Sequence, residues 1–164
     1  MILNKKTTEI DSLLSLNNDI YRIISIFNKD NELKQLLVNT DQKPLQGSDV
    51  TKDLRDKQIS RAPLLPYDEE DGSLVVVTLI NGTRDPESGT LYSTLAIDVF
   101  TPGNQWIIND GIRPLLIANR IDNLMKFNVN QTDGVKYRLN DIINSQLSDL
   151  LLGYRMIYTT VIDE

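Results

Sequence analysis

Residues 91–125, LYSTLAIDVFTPGNQWIINDGIRPLLIANRIDNLM, decide how the chain folds, because one kind of periodicity gives way to another inside them. Leu91, Leu95, Ile97 and Val99 alternate with Tyr92, Thr94 and Asp98, which is the two-residue repeat of a strand with one face buried. The turn Pro102-Gly103-Asn104 leads into QWIIN, which reads as a third short strand. Beyond Asp110 and Gly111 the apolar residues fall at Ile112, Leu115, Leu116, Ile117, Ile121, Leu124 and Met125, the spacing of a helix from about 112 to 126. Pro114 fits such a helix only in its first turn. A strand running into an amphipathic helix predicts a helix lying across a sheet.

Working backward, SLVVVTLIN at 73–81 is a second apolar strand. It joins the first through the charged, turn-rich GTRDPESG at 82–89, so the pair reads as a β-hairpin with a long exposed tip. Working forward, VKYRL at 135–139 reads as a strand, and 140–151 fits either a short helix or a bent link. In GYRMIYTTVID, Tyr154, Met156, Tyr158, Thr160 and Ile162 share one face and Ile157 and Val161 the other, as in a final strand paired with the hairpin.

At the other end, Thr8 and Asp11 resemble a capping box, and Ile10, Leu13, Leu14, Ile20, Ile23, Ile24 and Phe27 mark a helix of about five turns. Asp30 is placed to cap a shorter helix carrying Leu33, Leu36 and Leu37. Residues 41–72 have weak periodicity, many charges and Pro44, Pro63 and Pro66, and read as an extended arm. A short helix fits within 49–58, and RAPLLPY at 61–67 should be extended. Connections of that length inside a compact domain are uncommon and usually functional, disordered or resting on a partner. The expectation is therefore one domain over 1–164 of α+β class: a mainly antiparallel sheet, a long N-terminal helix, and a second helix packed on the sheet.

Composition narrows the function. The 164 residues carry 40% hydrophobic and 24% charged residues, a globular balance, and a net charge of -6. An acidic surface argues against gripping phosphate backbones. The chain has neither cysteine nor histidine, so thiolate chemistry, disulfides and the commonest general base and transition-metal ligand are excluded. No glycine pattern cradles a phosphate. The segment after the N-terminal lysines is interrupted by polar residues, and the reading is a soluble chain made in a cytoplasm.

The acidic run Asp68, Glu69, Glu70, Asp71 lacks the alternating ligand spacing of a calcium loop and reads as a solvated turn. Asp98 reads as a polar residue on the exposed face of its strand, and Trp106 as core. Neither catalytic residues nor a metal or cofactor site are assigned. Arg55, Arg61, Arg84, Arg113 and Arg120 stand out as a group, since arginine is favoured at protein interfaces. The candidate subunit contacts are Arg61, Leu64 and Leu65 on the arm, and Arg84 and Glu87 at the hairpin tip.

The order of elements, with ISRAPLLPYDEEDGSLVVVTLINGT, the 91–125 stretch and GYRMIYTTVID, resembles the tail terminator and neck (head-tail joining) proteins of tailed bacteriophages. The resemblance runs over residues 8–162. It implies a virion protein without catalysis, which forms a ring, expected to be hexameric, that ends the tail tube and joins it to the head-side connector. The implied partners are copies of itself, the tail tube protein and the connector or neck protein, with DNA only passing through a central channel. Segments 41–72 and 128–152 are longer than a minimal version needs, which leaves another neck or baseplate ring as an alternative position. An enzyme relying on carboxylates alone and a small monomeric binding module are the readings from other classes.

Overall fold

A computed structural model describes residues 8–62, 67–89, 91–132 and 135–160, the side chains of 8–13 and of Glu69 excepted. Helix α1 (Thr8–Lys29) is followed by α2 (Asn31–Val38), a 3-10 turn (Pro44–Gln46), strand β1 (Ile59–Ser60) and a second 3-10 turn (Glu69–Asp71). The hairpin β2 (Leu74–Arg84) and β3 (Leu91–Pro102) comes next, then a small ribbon of β4 (Ile107–Ile108) and β5 (Gly111–Ile112). Helix α3 (Arg113–Leu124) runs on into a π-helical turn (Met125–Val129), and β6 (Tyr137–Gln146) and β7 (Leu151–Thr160) complete the chain. The main sheet has the order β1-β2-β3-β7-β6, in which only the β1–β2 pairing is parallel. The α+β class and the mainly antiparallel sheet are as the sequence predicts.

The helices gather on one face. Ile23, Ile24 and Phe27 of α1, Leu33, Leu36 and Leu37 of α2, and Ile117, Ile121 and Leu124 of α3 pack with Val75, Val77, Leu95, Ile97, Val99, Met156 and Tyr158 of the sheet. Each such side chain is worth about 1.5–3 kcal/mol when removed fully from water. The β2 run of Leu74 to Val77 serves both faces. Val75 and Val77 join the helices, while Leu74 and Val76 meet Phe100 and Leu151 on the other side, under Tyr67 and Leu147. That is why the run is continuously apolar rather than alternating.

Asp30 caps α2 as expected, accepting a hydrogen bond from the Leu33 N–H at 2.8 Å. The capping pair at Thr8 and Asp11, and the ends of the terminal strand at Val161 and Ile162, lie outside the described side chains and residues. Arg22 anchors α1 to the two sides of the connection between α3 and β6 by donating to the Val129 carbonyl at 2.8 Å and the Val135 carbonyl at 2.9 Å.

Four local expectations are corrected. Residues 140–146 are strand, not helix or link: β6 pairs with β7 throughout, with a register shift between Leu139 and Asp141. The stretch 49–58 holds no helix; its backbone is fixed instead by side chains of the helices, Val50 N–H donating to Asn31 Oδ1 at 3.0 Å and Leu54 N–H to Asn28 Oδ1 at 2.8 Å. Ile107 and Ile108 form the separate ribbon rather than a third strand of the sheet. Asp98 is buried, not solvated, and is clasped by Arg155 through two hydrogen bonds of 2.8 and 2.9 Å. No helix of the described residues is long and apolar enough to cross a membrane.

Candidate functional site

The arm is less free than its composition suggests. Gln35 reaches back to the carbonyl of Gly47 at 2.8 Å, Leu54 and Ile59 are fully buried, and the Val75 N–H donates to the Gln58 carbonyl at 2.7 Å. The exposed part of the described arm includes Arg61 and Ala62. The Arg61 guanidinium lies over the Tyr21 ring, 4.5 Å from the centroid, donates to the Tyr21 hydroxyl, and stands 3.6 Å from Asp56. Arg55 pairs with Asp53 at 2.5 Å on the same rim, and this contact holds the Asp53 carboxyl down to about 2. These groups line a groove of about 470 Å³ between α1 and the loop, together with Asn18 and Arg22. Tyr21 and Arg61 both remain about half exposed there. Leu64 and Leu65 lie outside the described residues.

The hairpin tip is the second exposed element. Arg84 donates to the Gly89 carbonyl at 3.2 Å, and Asp85 organises the turn by accepting from the Glu87 N–H at 2.7 Å and the Ser88 N–H at 3.3 Å. Those backbone hydrogen bonds hold the Asp85 carboxyl below the usual range. Gly89 adopts φ +72°, the left-handed conformation that closes the turn. Arg84 and Glu87 are exposed. Arg84 lies eight residues beyond Val76, the β2 residue beside Ser60, so the tip stands roughly 26 Å along the strand from the Arg61 region. The two candidate patches are distinct surfaces at separate places, as a head-to-tail contact requires.

The other arginines of the group turn inward. Arg113 is fully buried and has four carbonyl partners: Gln105 at 3.1 Å, Leu36 at 3.1 Å, Asp41 at 2.6 Å, and Asn39. It thus satisfies the open C-terminal end of α2 from the first residue of α3. Burial pushes its pKa down, with Asp41 acting the other way. Arg120 grips Asp30 through contacts of 2.9 and 2.5 Å and reaches Glu32 at 3.1 Å. In the sequence these two stand in the arginine group noted for interface chemistry, though not among the candidate subunit contacts. For Arg113 the available signal was position, since a basic residue in the first turn of a helix opposes the helix dipole and needs a strong partner elsewhere; Arg120, in the later half of α3, carried no such signal.

The acidic run behaves as a turn, with the Glu70 N–H donating to Asp68 Oδ1 at 3.0 Å. Asp68 and Glu70 line an open polar depression of about 920 Å³ with Thr40, Tyr67, Asn104 and Gln105. Among the described residues, no three His, Cys, Asp or Glu side chains gather as a metal site. Trp106 is only half-buried, donates from Nε1 to the Thr101 carbonyl at 3.0 Å, and meets Tyr154 at a centroid distance of 6.0 Å.

Fold and surface together describe a small α+β protein whose candidate sites are exposed elements at opposite ends of one sheet. The family model YomW matches residues 30–160, from the cap of α2 to the end of β7, and the chain belongs to that family. The family name is phage-derived, of the Bacillus phage SPBeta type, and the chain is phage-associated by that membership. No curated protein matches the chain.

Proposed function

We propose that this protein is a structural component of a tailed-phage virion, a ring of six copies that terminates the tail tube and joins it to the head-side connector. Its partners are copies of itself, the tail tube protein and a neck or connector protein, and it carries no catalytic step. One observation carries the reading: a sheet backed by helices presents two separate exposed patches, around Arg61 and around Arg84 and Glu87, about 26 Å apart. Two different patches on one subunit suit a heterologous contact that closes into a ring. Phage-family membership, the chain's acidic balance and the chemistry already engaged in internal pairs, Asp98 with Arg155 and Asp30 with Arg120, support it.

The test is genetic and structural. A nonsense mutation in the phage gene for this chain is expected to give filled heads and separate tails of irregular length, and supplying the intact chain in trans restores joined particles. Joined particles with tails of normal length in the absence of the chain overturn the proposal.

A further inference from the structure

The main sheet has two open edges among the described residues. Beyond β6 no strand follows, and β1 covers β2 only at Val75 and Val76, so β2 from Val77 to Arg84 has no strand outside it. The Val75 N–H points outward, to Gln58, so by alternation the N–H and C=O groups of Val77 and Leu79 point outward as well. Long edges of this kind are templates for pairing with another chain. Apolar side chains stand exposed on both: Leu79 and Ile80 on β2, at 42% and 49%, and Ile142 and Ile143 on β6, at 44% each. Because β2, β3, β7 and β6 are successively antiparallel, β2 and β6 run in opposite directions. A second copy set with its β6 beside β2 of the first continues the same antiparallel ladder, and the operation repeats.

We propose that β6 of one copy pairs with the Val77–Arg84 edge of β2 in the next, so that the sheets join head to tail into one continuous sheet around the ring. This rests on the ring reading above and deepens it by naming the join.

Strand β1 sets the register, since it blocks β6 of the neighbour from passing Val77. With Gln146 opposite Val77, Asn144 lies opposite Leu79. The irregularities at Ile80 and at Asn140 each add one residue to their own strand and cancel, bringing Arg138 opposite Asp85 and Lys136 beside Glu87. Opposite charges therefore meet at the tip, and Ile142 and Ile143 come against the Leu79–Gly82 stretch. Inside one copy, Val77 is level with Ile142 through Ile97 and Met156. The join thus displaces each copy by about four residues over four strands. One residue of stagger per strand is the ratio of an eight-stranded barrel of shear 8, whose strands tilt by about 36°. The blocked edge produces the inclination that a closed sheet needs.

The chain has no cysteine, so introduced thiols report contacts cleanly. Leu79→Cys and Asn144→Cys are combined in one chain. Within a copy these positions are separated by the width of two intervening strands, roughly 14 Å, beyond disulfide reach. Across the proposed join they are directly opposite, at about 5.5 Å between Cα atoms. Oxidation of concentrated protein should convert most of it into a reducible ladder extending to a closed ring, while each single variant gives no ladder. The pair Asp85→Cys with Arg138→Cys gives the same ladder if the first pair disturbs folding. Arg61→Cys with Glu87→Cys serves as the comparison. If electron microscopy shows rings and only that comparison pair cross-links, the sheet join is overturned and the ring stands. If no pair yields a ladder and no ring is seen, both fall.

Discussion

Replacing Arg113 with methionine removes the side chain that ties α2 to α3 and leaves its volume apolar. Four carbonyls lose a cationic donor: Gln105, Leu36, Asn39 and Asp41. Hydrogen bonds to charged groups contribute about 1.5–3 kcal/mol each, so the gross loss is about 6–12 kcal/mol. Returning a buried guanidinium to water in the reference state recovers several kcal/mol of this, and the net cost expected for Arg113→Met is about 3–5 kcal/mol. Arg113→Lys keeps the charge but has a single point donor, which reaches fewer of the four carbonyls, and should cost about half as much. Urea unfolding followed by circular dichroism measures both. With a slope of about 2 kcal/mol per molar, Arg113→Met should lower the midpoint by about 2 M and Arg113→Lys by about 1 M. A loss under about 0.5 kcal/mol for Arg113→Met, the size of an ordinary surface substitution, would refute the role given to this residue.

Burial pushes the Asp30 carboxyl up, but the hydrogen bonds from Arg120 and from the Leu33 N–H outweigh it and hold the group below the usual carboxylate range. Its folded pKa lies below the unfolded value, so its contribution is full above about pH 4 and is lost as pH falls through the folded pKa. The unfolding midpoint should drop across that interval, and Asp30→Asn, which can still cap α2, should be less stable at pH 7 and flatter with pH; an unchanged slope contradicts the pairing. A Cβ added at Gly153 would lie 1.7 Å from the Val99 carbonyl oxygen, so Gly153→Ala forces β3 and β7 apart. It should cost about 3 kcal/mol, a fall of roughly 6–12 °C in melting temperature by calorimetry, and a fall under 2 °C would show that the strands give way freely. Tyr67, Tyr137 and Tyr158 have their ionisation pushed above the ordinary value, first by burial and then by Asp71, Asp19 and Asp122 respectively. Stability from them is present below about pH 10 and lost above it, so their absorbance change should coincide with alkaline unfolding rather than precede it.

Strands with one buried face were legible because burial imposes alternation. Leu95, Ile97 and Val99 face the helices as their spacing demands, and Met156 and Tyr158 join them. The start of α2 was legible for a local reason, the Asp30 side chain on the Leu33 N–H. Strand β6 was not legible beyond Leu139. Exposed for most of its length, it carries no apolar alternation, and the irregularity at Asn140 breaks what period remains. The burial of Asp98 and Arg113 was equally hidden, since each depends on partners 57 and 72 to 77 residues away in the chain. The candidate contacts Arg61, Arg84 and Glu87, chosen from loop composition, lie on exposed elements. Part of the arm is packed in a way its composition did not show: Leu54 and Ile59 lie fully buried under the helices.

The claim that this chain works as a ring is met most directly by imaging the purified protein in negative stain, with its mass measured by light scattering over a wide range of concentration. The account predicts annular particles with a central hole and a mass that rises from the 18.6 kDa of one chain toward six times that value. A mass of one chain at every concentration, together with no annular density at the head-tail junction of particles that contain the protein, would contradict it.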